Sequence, residues 1–196
     1  PTRGCSVSCS DVVINSFSEE TLKKRINRIN KNKKIIVLGT IGAIDLKYKG
    51  QINVIKALSI LKKQGHDEYI YELVGNGNKE KLQKAIRKYG VEGQVIFKGT
   101  IIHNEIYSWL DNIDIYLQPS YTEGLPRALV EAMSRALPCI GSNVGGIPEL
   151  LRESELVDVS KNCAYQIATI LNELNIEKKI YLANLNYEKS KQYAYN

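Results

Sequence analysis

The sequence has no stretch approaching the ~18–20 consecutive apolar residues that a membrane-crossing helix requires, so none is expected in it. Cysteine is sparse. Cys5 and Cys9 lie close together, while Cys139 and Cys163 are isolated. No Cys-x2-Cys pair finds a second half, which excludes a zinc site of that type. Four cysteines in a chain of this size read as reduced, cytoplasmic thiols, with Cys139 a plain core residue. Histidine is almost absent, and His103, at a predicted helix start, reads as a cap or surface residue. The one tryptophan, Trp109, sits at helical spacing among apolar residues and is assigned to the core. The opening residues lack the apolar centre of a signal peptide and an initiator Met, so the chain reads as an excised piece of a longer protein.

Acids are outnumbered by bases, 21 to 27, for a net charge of +6. The densest basic run spans residues 23–34. It reads either as a solvated helix face and linker or as a surface for anionic lipid headgroups. Nucleic acid is not an expected partner, because no binding motif is present and basic and aromatic residues do not interleave.

What the chain has in quantity is ordinary globular material, 43% hydrophobic over 196 residues, enough for one good domain. Apolar runs at 11–15, 34–39, 69–75, 94–97, 113–117, 138–141 and 156–159 read as strands. Amphipathic stretches alternate with them: from Ser18, 51–61, 79–89, 104–110, from Pro126, from about Ile147, and two near the C-terminus. Buried strands alternating with helices predict an α/β fold, a doubly wound parallel sheet of Rossmann-like type. Ligands of such sheets bind beyond the carboxyl ends of the strands. The loops there begin at Gly39, Gly75, Gly99, Gln118 and Gly141. Their glycines suit close approach to a ligand or simple turns. The expected organisation is an N-terminal segment or linker (1–32), a ligand-binding domain (33–172) and a helical tail (173–196). The tail's tyrosines, 181, 187, 193 and 195, pack on the domain or on a missing neighbour.

The richest segment is 120–135. It sets two carboxylates, Glu123 and Glu131, eight residues apart across a helix start. Gly124 permits a tight turn, and Pro126 suits the first helical position, where its missing N–H costs nothing. Free backbone N–H groups at the positive end of a helix dipole lie between the acids, which suits a ligand with both phosphates and hydroxyls. A nucleotide sugar is such a ligand.

That segment, followed by the Gly145-Gly-Ile-Pro-Glu149 loop, resembles the Glu-x7-Glu signature of retaining glycosyltransferases of the group 1 type (family 4, GT-B fold). The resemblance runs from about Lys33 to Leu151. It implies the C-terminal, donor-binding half of a two-domain enzyme, with the acceptor half absent. It also implies that Glu123 contacts the transferred sugar near its reacting carbon, and that Gly124 and Leu125 offer it backbone N–H groups. N–H groups near Leu129 meet the diphosphate, and Glu131 holds the ribose hydroxyls. Lys49, before Gly50 and a helix, matches the lysine on the donor's diphosphate, so Glu123 and Lys49 form the implied catalytic pair. Gly39 and Thr40 belong to the phosphate loop, Gly75 and Gly77 to a loop passing close to the nucleotide, and Thr100 and Ile101 to the segment reading the base. Many members carry Arg where this chain has Thr40, so either one cation is missing and activity is weak, or another residue, with Arg127 and Lys47 as candidates, replaces it. No Asp-x-Asp motif is present, and Lys49 with the helix dipole takes the part of a metal, so neither metal nor cofactor is implied.

The implied function is transfer of a sugar from a nucleotide diphosphate, most commonly UDP, to a glycan or lipid-linked acceptor. Bacterial surface polysaccharide synthesis, as capsule or lipopolysaccharide, in the cytoplasm or at the inner membrane face, is the expected setting. The fragment alone is expected to be inactive. The competing readings are a nucleotide-sugar epimerase of related fold and a non-catalytic nucleotide-sugar-binding module.

Overall fold

The computed structural model of the chain describes residues 17–31 and 33–194. Six strands are seen: β1 (Ile36–Ile41), β2 (Tyr69–Val74), β3 (Val95–Gly99), β4 (Ile115–Gln118), β5 (Cys139–Ser142) and β6 (Leu156–Val157). They form one sheet in the order β3-β2-β1-β4-β5-β6, and every pairing is parallel. The helices among the described residues are α1 (Glu19–Asn30), α2 (Gln51–Lys63), α3 (Glu80–Tyr89), α4 (His103–Asn112), α5 (Arg127–Ser134), α6 (Ile147–Leu150), α7 (Cys163–Glu173) and α8 (Ile176–Ser190). This is the doubly wound α/β sheet that the alternation of elements predicts.

Period-two burial feeds both faces of the sheet. Tyr71, Leu73, Ile115, Leu117 and Ile140 join one core with α2, α3 and α7. Val74, Tyr116 and Cys139 join the other with α4, α5 and α6. A third, smaller cluster forms outside α5, where Tyr187 of α8 packs beside Ala136 and Ala183, with Phe17 and residues of α1 against them. The chain runs from β1 outward to β2 and β3, then crosses back to β4, so the sheet's topological switch point lies between β1 and β4.

The basic run is not a linker. α1 continues through Asn30, and Arg25 in its middle is buried. Its guanidinium donates to the carbonyls of Ile113 (2.6 Å), Leu110 (2.9 Å) and Arg135 (3.2 Å). These are helix-end carbonyls of α4 and α5 that would otherwise lack donors. Burial is the chief reason that its pKa falls to about 10. Arg28 and Lys33 pair with Asp114 at 2.9 and 2.8 Å, so much of the run's charge is engaged. α8, in the segment read as a tail, packs on α5 and α1 with Tyr187 buried and Tyr181 exposed.

Several expected strand ends move. β1 runs two residues beyond Gly39, and β5 runs beyond Gly141. A Cβ at Gly39 would lie 2.5 Å from Ile113 Cδ1, and one at Gly141 2.6 Å from Ile147 Cγ2. These glycines admit core side chains from the covering elements, which neither a ligand nor a turn explains. β6 stops at Val157, because the Asp158 carboxylate accepts the N–H and O–H of Ser160 and closes a turn. The apolar run 11–15, Cys5, Cys9 and Tyr195 lie outside the described residues.

Candidate functional site

The loops leaving β1, β2, β4 and β5 interlock at the carboxyl end of the sheet. After β1 the chain turns through a short 3-10 segment, Lys47–Lys49, into Gly50, which caps α2 in the left-handed region (φ 68°). A Cβ on Gly50 would stand 1.9 Å from the carbonyl oxygen of Pro119 in the loop after β4, and Tyr121 N–H donates to the Tyr48 carbonyl at 2.7 Å. Gly75 (φ 150°) is pressed in the same way against the Gly42 carbonyl, 2.0 Å from its would-be Cβ. Gly145 (φ 54°) is pressed against the Glu123 carbonyl, and Gly146 N–H donates to the Gly124 carbonyl at 2.9 Å. Gly50, Gly75 and Gly145 are therefore required by other loops. Gly145 and Gly146, quoted in the sequence motif without a role, hold the backbone on which Glu123 sits.

This packing brings Lys49 and Glu123 together across the switch point, Nζ to Oε1 at 2.8 Å. The same oxygen accepts from Ser120 Oγ (2.7 Å) and Gln118 Nε2 (2.9 Å). Ser120 and Gln118 are fully or almost fully buried, whereas the Lys49 side chain keeps 20% exposure. Sequence reasoning passed over both. The signal was their place at the end of β4 and just after it, three and five residues before the acid.

Eight residues on, Glu131 is nearly buried on α5 and accepts from Arg127 Nε at 3.0 Å, an i,i+4 pair. Pro126 is the cap of α5 and not its first residue, with extended ψ of 108°. Its carbonyl accepts from the N–H groups of Leu129 (3.1 Å) and Val130 (3.3 Å). Leu129 N–H is thus engaged within the first turn and is not the free donor expected. The N–H groups of Arg127 and Ala128 remain without an acceptor among the described residues. Arg127 stands at this positive helix end, whereas Lys47 is exposed beside an apolar cavity.

Thr40 differs from expectation. Its side chain is 1% exposed, its hydroxyl donates to the Leu117 carbonyl (2.8 Å) and accepts from Tyr71 (2.9 Å). Buried between two strands, it cannot offer a side-chain contact in the crevice. Gly39, packed on Trp109, lies inside β1 and below the loops. Gly77 (φ 129°) is packed against Asp45, while Gly124 is open on its Cβ side and needs no special φ. Leu125 is half-buried beside Gly146. Thr100 is exposed and Ile101 half-buried just past β3, two strands from the ion pair.

On the other side of the pair lies an open cavity of about 590 Å³, lined by Ile44, Leu46, Tyr48, Ile52, Leu82 and Tyr121 among others. Among the described residues no group of three or more His, Cys, Asp or Glu side chains is gathered to hold a metal, and no helix is long and apolar enough to cross a membrane.

The chain is similar to Protein CapJ of Staphylococcus aureus, 34% identical over 178 residues, covering 87% of this chain and 44% of that protein. It is 40% identical over 113 residues to the amylovoran biosynthesis glycosyltransferase AmsK of Erwinia amylovora, covering 54% of this chain and 28% of AmsK. The chain thus spans less than half the length of these relatives. Its fold is that of Anabaena HepE, solved with UDP and glucose, with a TM-score of 0.73 and 22% identity over 90% of this chain and 49% of HepE. The fold is that of a GT-B glycosyltransferase domain, and the model of the family described as glycosyl transferases group 1 matches residues 18–192. The chain belongs to the group 1 glycosyltransferases.

Proposed function

We propose that the chain is the donor-binding half of a retaining, metal-independent glycosyltransferase that uses a nucleoside diphosphate sugar. The observation that carries this reading is the Lys49–Glu123 pair at the switch point, next to a helix start with free N–H groups. A diphosphate suits Lys49 and the Arg127 and Ala128 N–H groups. Sugar hydroxyls suit the Glu123 carboxylate and the open backbone at Gly124. Glu131 is set to accept from a vicinal diol of ribose, with Arg127 steadying it. Gly75, Gly77, Thr100 and Ile101 border the crevice on the nucleotide side.

In the reaction the bond from the sugar's anomeric carbon to the phosphate oxygen breaks, and one to an acceptor oxygen forms on the same face. The acceptor's proton is lost, and the nucleoside diphosphate leaves with the bonding pair. Lys49 and the helix end stabilise charge on that leaving group, where a metal serves in other enzymes. Glu123 stabilises positive character at the sugar carbon.

HepE was solved with UDP and glucose, which favours a UDP sugar, and the likeness to the amylovoran biosynthesis glycosyltransferase AmsK favours bacterial surface polysaccharide as product. The acceptor is a glycan or lipid-linked glycan held by a second domain. The setting is the cytoplasm or the inner membrane face, reached through the exposed lysines of α1.

Calorimetric titration with UDP, GDP and ADP, without metal, tests the reading. Selective binding of one diphosphate, lost in Lys49→Ala/Glu131→Ala, supports it. No binding by the folded chain overturns it.

A further inference from the structure

The two oxygens of the Glu123 carboxylate are not equivalent. Oε1 accepts from three donors, Lys49, Gln118 and Ser120, while Oε2 receives no hydrogen bond among the described residues. The Gln118 donor has its own support. Tyr116 Oη lies 2.9 Å from Gln118 Oε1, and Ile41 N–H donates to that hydroxyl at 3.4 Å. Tyr116, Gln118 and Ser120 are each at most 2% exposed, so these groups find partners in one another and not in water.

The chemistry of the partners fixes the direction of the chain. Ile41 N–H can only donate, so the Tyr116 oxygen accepts from it and turns its hydrogen toward Gln118. Burial raises the tyrosine pKa well above its ordinary value, so this hydrogen stays in place. Its acceptor must be the amide oxygen, which leaves the Gln118 NH2 facing Glu123 and Ser120. With the amide reversed, Gln118 would set an acceptor against the carboxylate and a donor against the Tyr116 hydrogen, both unfavourable in a buried place.

We propose that Gln118 and Tyr116 are positioning residues for Glu123: Tyr116 locks the Gln118 amide, Gln118 helps to saturate Oε1, and Oε2 is the atom left for a sugar hydroxyl. Ser120 completes the saturated side. The proposal rests on the donor-site reading for its consequence but not for its geometry, and the two fail separately.

The test uses this chain and the variants Gln118→Leu and Tyr116→Phe, with folding checked by thermal melting. The first readout is the increment by which UDP-glucose, UDP-galactose or UDP-N-acetylglucosamine binds more tightly than UDP. For the sugar that binds best, Gln118→Leu is expected to reduce the increment about tenfold and Tyr116→Phe about threefold, with UDP itself unchanged within about twofold. A general loss of structure would weaken UDP as well. The second readout needs no ligand. The Gln118 side-chain amide protons, followed by NMR, are expected to exchange slowly in the parent chain and much faster in Tyr116→Phe.

An unchanged sugar increment in both variants, or amide protons equally protected without the tyrosine hydroxyl, overturns the positioning role. If the parent chain binds no nucleotide, the donor-site reading fails, and the amide exchange still decides whether Tyr116 locks Gln118.

Discussion

Lys49 and Glu123 stand 74 positions apart in the chain and meet at 2.8 Å over the gap between β1 and β4. Removing the lysine deletes the cation proposed for a diphosphate, so Lys49→Ala is expected to weaken UDP binding at least about tenfold. Glu123→Gln removes the partner that competes for Lys49, so UDP should bind as well or up to about threefold tighter, while the preference for a UDP sugar over UDP disappears. Titration calorimetry with both ligands distinguishes these opposite effects.

Gly50 and Gly65 separate backbone strain from loop packing. Both have positive φ, 68° and 89°, but a Cβ at Gly65 meets nothing within 4 Å. Gly65→Ala should cost about 1 kcal/mol, the conformational penalty alone. Gly50→Ala also drives a methyl into the Pro119 carbonyl, so it should cost more than about 2 kcal/mol and displace the loop carrying Ser120 and Glu123. Urea unfolding gives the stability difference, and UDP-sugar affinity should fall only for Gly50→Ala.

Arg25→Ala is expected to destabilise the domain by about 2–4 kcal/mol, because it strips three carbonyls of a donor and opens a cavity. Arg25→Lys retains the charge but not the fork, and should recover less than half of the loss. Chemical denaturation of both variants measures this, and nucleotide affinity should stay near that of the parent chain.

Stability should fall at alkaline pH. Burial raises the thiol of Cys163 to about 11 and the phenol of Tyr69 to about 12, and it raises Tyr71, Tyr116 and Cys139 as well. Each group keeps its proton in the folded chain while the unfolded chain loses it, so its contribution is whole below the unfolded pKa and declines as pH rises toward the folded value. Arg25, lowered to about 10, acts in the opposite direction above that pH, but it is one group against several. The urea midpoint should therefore decline from about pH 9 upward, less steeply in Cys163→Ala.

Much of the fold was legible because buried parallel strands and amphipathic helices carry their periods locally. β2, α3 and the helix carrying Glu131 illustrate this. What escaped was set by distant partners. Gly39 looked like a strand end because its reason, the Trp109 ring, lies 70 positions away. Arg25 looked like one more surface charge because the carbonyls that bury it belong to α4 and α5 and their ends. The acids of the site were readable from their motif. The residues that hold Glu123 were not, since a glutamine and a serine at a strand end carry no signal until the strand is placed beside its neighbours. Thr40 was misjudged for the same reason, its hydroxyl being bound by β2 and β4.

Lys49 and Glu123 neutralise one another in the crevice. An anion arriving at Lys49 must displace a carboxylate that already holds it, so inorganic phosphate gains little by exchanging one charged partner for another. A ligand that brings a phosphate for the lysine and hydroxyls for the acid satisfies both at once. On the donor-site reading proposed above, the pair works as a coincidence filter that disfavours small anions without any steric gate.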